Sequence, residues 1–155
     1  MASMFCSDSW AHDVRAALDA APNEAALAGK LPQYWDVYDV VRTQYSASWA
    51  LVVRNLPAEL GGGERHLYLS WSGYFVQDCR VVPGADAADA TYVLAADYTD
   101  WMALCDGYDV LRSIMYRRVT LERGDLLEFF KAIYFFAESL AVIASVPTTF
   151  PAVGV

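Results

Sequence analysis

Apolar and polar positions change their period twice along this chain. Over 8–20 they recur at helical spacing: Trp10, Val14, Ala17 and Leu18 form one stripe, Ser7 or Asp8 supplies an N-cap, and Pro22 stops the run. A short helix over 23–28 ends at Gly29. The segment 33–45, QYWDVYDVVRTQY, carries both signals: its β-branched and aromatic content favours a strand, while Trp35, Tyr38 and Val41 favour a helix. From 46 the period becomes two. SASWALVVRNL alternates Trp49, Leu51 and Val53; RHLYLSW sets Leu67, Leu69 and Trp71 against His66, Tyr68 and Ser70. Ser72-Gly73 turns that strand into YFVQDCRVV as a hairpin, and ATYVLAA sets Tyr92 and Leu94 against Thr91 and Val93. The stretches 57–64 and 83–89 are loops; the GGG of the first lacks the Lys-Ser/Thr and following helix of a phosphate loop.

Helical spacing returns after Asp97. DYTDWMALCDG reads as a short helix capped by Asp97, with Asp100 three positions on, Gly107 at its end, and Trp101, Leu104 and Cys105 on one side. YDVLRSIMYRR reads as a second, with Val110, Leu111, Ile114 and Met115 apolar, and VTL as a last short strand. Gly124-Asp125 then opens a helix over 126–146, LLEFFKAIYFFAESLAVIASV, with three charges in 21 residues. On a helical wheel Glu128, Lys131, Glu138, Ser139 and Ser145 share a stripe, and the apolar arc spans roughly 200°, about twice what one core contact needs. Phe135 and Val142 fall inside the polar stripe. Four partners fit so wide an arc: a bilayer, a core closing on several sides, a second copy docking through Phe135 and Val142, or an apolar pocket filled by a ligand. The length reaches the ~20 residues of a membrane span, but the three charges divide it, which argues against stable membrane insertion. The tail PTTFPAVGV is positioned to fold back over Phe135 and Val142.

Composition narrows the choice. The chain reads as one domain, 1–155, with an N-terminal helical region over 1–45 and a sheet and C-terminal helices over 46–155. Ten Tyr, seven Phe and five Trp are more aromatics than a core this small needs, so some are expected at a cavity or an interface such as a homodimer's. A net charge of −8 excludes nucleic acid as a partner and argues against polybasic docking on anionic membranes. Cys6, Cys79 and Cys105 are odd in number and widely spaced, and MASMFCSDSW lacks the regions of a signal peptide; both fit a cytoplasmic protein. Two His with no HxxxH or Cys pair imply no metal site, and no cofactor is implied. No G-x-S-x-G is present; a Cys79–His66 pair across the hairpin is a catalytic arrangement left open beside a plain buried thiol.

From Ala88 the stretch ADATYVLAADYTDWMALCDGYDVLRSIMYRRVTLERGDLLEFFKAIYFF resembles the sterol-binding domain of the sterol carrier protein type two family. The shared order is Ala-Asp before a strand, an acidic short helix, a Gly (Gly107), a second short helix, a short strand, and Gly124-Asp125 opening the last helix. Family members often carry a further Gly before that strand; here Tyr116 and Arg117 stand there. The resemblance implies an α+β fold: a five-stranded, largely antiparallel sheet, helices packed over one face, and an apolar tunnel between them. It implies binding or carriage of a hydrophobic small molecule or lipid, such as a fatty acid, an acyl-CoA or a sterol. The expected ligand contacts are Trp101, Leu104, Leu111, Ile114 and Met115 from the short helices, and Phe129, Phe130, Ile133, Tyr134, Phe136, Ala137 and Leu140 from the last one. Arg117, Arg118 and His66 are the candidates for a polar head group, with a bridge from an arginine to Glu122 as the plain alternative. A small enzyme isomerising, cyclising or hydrating an apolar substrate in the same cavity is the second reading.

Overall fold

The structure, a computed structural model, describes residues 3–21, 24–83 and 90–150. Pro22 and Asn23, all of the 83–89 loop after Pro83, with its Ala88-Asp89 pair, and the last five residues of the tail lie outside the described residues. The elements are β1 (Ser3–Met4), α1 (Asp8–Ala20), α2 (Glu24–Ala28), α3 (Pro32–Gln44), β2 (Ser46–Arg54), a 3-10 turn (Ala58–Leu60), β3 (Arg65–Ser72), β4 (Phe75–Pro83), β5 (Tyr92–Asp97), α4 (Tyr98–Cys105), α5 (Val110–Met115), β6 (Thr120–Arg123), α6 (Leu126–Lys131), α7 (Ile133–Ser145) and β7 (Thr148–Thr149).

Five strands form one sheet in the order β4-β3-β2-β5-β6. Every neighbouring pair is antiparallel except β2 and β5, which run parallel. Partners across the strands share a face. Leu51 therefore aligns with Leu67 and Leu94, and Trp49 with Leu69 and Tyr92, on the face the helices cover. Ala50, Tyr68, Val82 and Val93 occupy the other face, where Ala90 packs against them. The main core draws on both ends of the chain, from Phe5 to Val146.

The ambiguous segment is a helix. Pro32 starts α3 in the first turn, where its missing N–H costs nothing, and Trp35, Tyr38 and Arg42 are buried at helical spacing. Arg42, not Val41, completes the stripe. It is fully buried and directs its guanidinium at main-chain carbonyls of α1 and of the hairpin turn.

The single helix expected over 126–146 is two. Asp125 caps α6 by accepting from the Glu128 N–H at 3.0 Å, and the path breaks at Ala132 (φ −108°, ψ 21°). The over-wide apolar arc is explained by burial on more than one side. Phe135 is 1% exposed, with ring centroids 4.7 Å from Tyr45 and 5.6 Å from Tyr38 around α3, and 5.0 Å from Trp71 on the sheet. It is therefore no surface for a second copy. Val142 is half-buried against the same core. Ser139, read as part of the polar stripe, is buried too, and its hydroxyl donates back to the Phe135 carbonyl at 2.8 Å. The tail takes another course than over Phe135: β7 pairs in parallel with β1, and Phe150 sits 5.0 Å from Phe5 and 6.0 Å from Tyr98 between ring centroids.

Two backbone positions are special. Gly124 has φ +121°, and a Cβ there would press on the Tyr92 ring and lie 2.9 Å from the Thr91 carbonyl oxygen. Arg117 has φ +58°, the left-handed conformation that glycine adopts more cheaply, at the place where the resembling family often has one.

Candidate functional site

Where α4 and α7 cross the covered face of the sheet, packing leaves a small apolar cavity of ≈ 20 Å³. Leu51, Val53 and Leu67 form its floor, Phe5 and Trp10 one side, Trp101, Leu104 and Cys105 another, and Leu140, Ile143 and Ala144 its roof. The volume would hold about one water, but the lining is almost wholly apolar, and the indole N–H groups of Trp10 and Trp101 already have partners. Trp101 holds α4 in place, its indole N–H donating to the Val52 carbonyl at 3.0 Å.

Outside the cavity runs a groove of ≈ 420 Å³ between α4, α5 and α7. Its lining includes Leu104, Cys105 and Ala144, which also line the cavity, so the two spaces adjoin at these residues. The far end of the groove is polar. Glu138 Oε1 accepts from Tyr34 Oη at 2.6 Å and from Lys30 Nζ at 2.7 Å, and Lys30 Nζ lies 4.5 Å above the Tyr34 ring. Burial first, then the bond to the Glu138 carboxylate, pushes the Tyr34 hydroxyl well above its ordinary pKa. Tyr34 thus stays a neutral donor. Burial pushes the Cys105 thiol up to about 11, which keeps it protonated in the groove wall. A second groove, of ≈ 380 Å³, lies between α5, α6 and the β5–β6 edge.

The expected ligand contacts divide among these spaces. Trp101, Leu104 and Leu140 line the cavity, and Leu104, Leu111, Tyr134 and Ala137 line the first groove. Ile114, Phe129 and Phe130 line the second. Phe136 is sealed in the core, with ring centroids 4.9 Å from Phe129 and 5.0 Å from Trp49, and Ile133 is half-buried against that core. Met115 is 74% exposed and lines none of the three.

The head-group candidates do not converge. Arg117 lines the second groove. Arg118 stacks over Tyr108 at 4.5 Å and lies 3.9 Å from Asp100. His66 shares the sheet's other face with Tyr68, 3.3 Å from Glu64, and its buried Nδ1 has no hydrogen-bond partner. Glu122 pairs with Arg54 through two short bonds rather than with Arg117 or Arg118. Cys79 belongs to the opposite, covered face, where its thiol donates to the Ala11 carbonyl at 3.3 Å, so the sheet lies between it and His66.

Sequence reasoning missed the sheet side of the cavity and the Lys30–Tyr34–Glu138 cluster. The alternation of Leu51, Val53 and Leu67 marked a buried face but not a cavity, and nothing in the spacing brings residue 30 to residue 138. No helix among the described residues is long and apolar enough to cross a membrane.

Among solved structures the chain is similar to a crystal structure of sterol carrier protein 2, at 19% identity and a TM-score of 0.73, covering 92% of this chain and 98% of that one. It is also similar to the solution structure of a conserved hypothetical protein from Thermus thermophilus, described as possibly a sterol carrier protein, at 20% identity and a TM-score of 0.69, covering 99% of this chain and 97% of that one. No family model and no curated protein matches the chain. At these identities the likeness is one of fold: α+β, with the mixed five-stranded sheet and its covering helices.

Proposed function

We propose that this chain, with the fold of sterol carrier protein 2, binds an apolar ligand between its sheet and its helices and acts as a carrier. A fatty acid, an acyl-CoA, a sterol or another lipid suits such a space. The observation that carries the reading is that an apolar cavity and an open groove adjoin at Leu104, Cys105 and Ala144. The cavity itself is too small for an acyl chain, so uptake requires α4 and α5 to part from α7. The apolar tail then enters where Leu104 stood, and the polar end stays in the groove near Lys30 and Tyr34. α4 and α5 are short helices of eight and six residues, which favours such a movement over one of the sheet.

The test is native mass spectrometry of the purified protein, for a co-purified lipid and for uptake of an added fatty acid. Ala144→Phe fills the junction from the helix side and should abolish uptake, with circular dichroism confirming the fold. Undiminished uptake by the folded variant overturns this site.

A further inference from the structure

Glu138 is bonded through one oxygen only. Tyr34 Oη donates to Oε1 at 2.6 Å and Lys30 Nζ donates to the same oxygen at 2.7 Å, while Oε2 has no hydrogen-bond partner among the described residues. The carboxylate lines the first groove and is largely out of water, its side chain 17% exposed. Oε2 is therefore an acceptor that the fold itself leaves open. Lys30 is also incompletely used. Its ammonium meets Glu138 and reaches Tyr34 Oη at 3.5 Å, and it has one more N–H than those two bonds take up. The remaining charged side chain in the lining is Asp109, whose Oδ1 accepts from the Arg112 N–H at 2.9 Å and caps α5. The groove thus carries two carboxylates against one ammonium, and that ammonium already sits on a carboxylate.

We propose that Glu138 sets the specificity of this groove: it favours an uncharged lipid bearing a hydroxyl and turns away carboxylate and phosphate head groups on the same apolar body. A hydroxyl both donates and accepts, so one group can donate to Oε2 and accept from Lys30. A carboxylate can only accept. It leaves Oε2 bare and sets a second negative charge beside Glu138, where little water screens the two. Lys30 does not offset that repulsion, because its charge is matched by Glu138 at 2.7 Å. An ester accepts from Lys30 but has no proton to give, so Oε2 again stays unpaired. A lipid amine meets the converse difficulty, its ammonium competing with Lys30 for one carboxylate. This selectivity rests on the reading that the polar end of the ligand lies in the groove, and it names which polar end the groove takes.

Equilibrium dialysis with radiolabelled 1-dodecanol, dodecanoate and methyl dodecanoate at neutral pH tests it, since these ligands share a chain length and differ in the head group. Dodecanol should bind at least about tenfold more tightly than either of the others, the worth of a hydrogen bond to a charged group. The ester is the more apolar of the two neutral ligands, so hydrophobicity alone would reverse that order. Glu138→Gln removes the charge and frees Lys30, and dodecanoate should then gain about tenfold on dodecanol. Glu128→Gln makes the same change of charge at an exposed residue outside the groove and should keep the parental preference. Circular dichroism checks the fold of both variants, and the parent's own ranking decides the matter if Glu138→Gln does not fold. Dodecanoate or the ester binding to the parent as tightly as dodecanol overturns the selectivity and leaves carriage standing. So does a parental preference in folded Glu138→Gln. Binding of none of these ligands overturns the groove as a ligand site, and the selectivity with it.

Discussion

The Arg42 side chain of α3 donates to the Ala21 carbonyl, just past the end of α1, at 2.6 Å. The same guanidinium donates to the Leu18 carbonyl at 2.8 Å and to the Tyr74 carbonyl at 2.8 Å, and stacks 4.0 Å from the Tyr74 ring. No carboxylate neutralises it in these contacts. The counter-charge is the carbonyl end of a helix, reinforced by an aromatic face. One side chain thus ties α1, α3 and the β3–β4 turn together, and Arg42→Met removes the donor that the Ala21, Leu18 and Tyr74 carbonyls share, leaving Leu18 only the Ala21 N–H. Urea denaturation should show a loss of about 3 kcal/mol or more. Arg42→Lys should recover little of it, because an ammonium lacks the planar fork.

Gly124→Ala should cost about 2–3 kcal/mol, because it combines a positive φ with a Cβ forced against Tyr92. At Arg117 the sign reverses. Arg117→Gly should leave stability within about 0.5 kcal/mol of the parent or raise it, whereas Arg117→Val should cost about 1–2 kcal/mol in the same left-handed conformation. Thermal melts of the three variants check both statements.

Burial raises all three thiols, Cys6 and Cys79 to about 12 and Cys105 to about 11. At pH 8 the native protein should react with a disulfide reagent about a hundredfold more slowly than a free cysteine. The rate at Cys105 should climb about tenfold per pH unit without levelling off by about pH 9. If the proposed ligand enters past Leu104, its presence should slow Cys105 further and leave Cys79 unchanged. Mass spectrometry of labelled peptides separates the three sites.

The bonds from Arg54 hold the Glu122 carboxyl below the usual glutamate value. A depressed folded pKa contributes stability above the unfolded value of about 4.3, and that contribution is lost as pH falls through the folded one. Both side chains are more than a third exposed, so the effect is small, under about 1 kcal/mol. Glu122→Gln should destabilise at about pH 7 and not below about pH 3. Melting curves across that range, with parent and variant converging in acid, are the check.

Local pattern made much of the fold legible. Alternation placed Trp49, Leu51, Leu67, Leu69 and Leu94 on one face, and the order of elements after Ala90 marked the sheet edge and Gly124. Two features stayed hidden for a physical reason. Arg42 is a charged residue in a fully buried position, and only the carbonyls of α1 and Tyr74, distant in sequence, make that tolerable. Phe135 sits in a polar stripe on any continuous wheel; its burial depends on α3, from the segment whose own pattern was ambiguous. The site was half legible. Leu104 and Leu140 follow from helix faces, but a groove closed by Lys30 and Glu138 depends on tertiary contact alone.

The break at Ala132 sets how far the last helix can reach. An uninterrupted helix over 126–146 would be about 31 Å long, close to the hydrocarbon thickness of a bilayer. Split at Ala132, its longer part is 13 residues, or about 20 Å. The core thus obtains a run of side chains almost as greasy as a membrane span, while no single described helix is long and apolar enough to cross a bilayer.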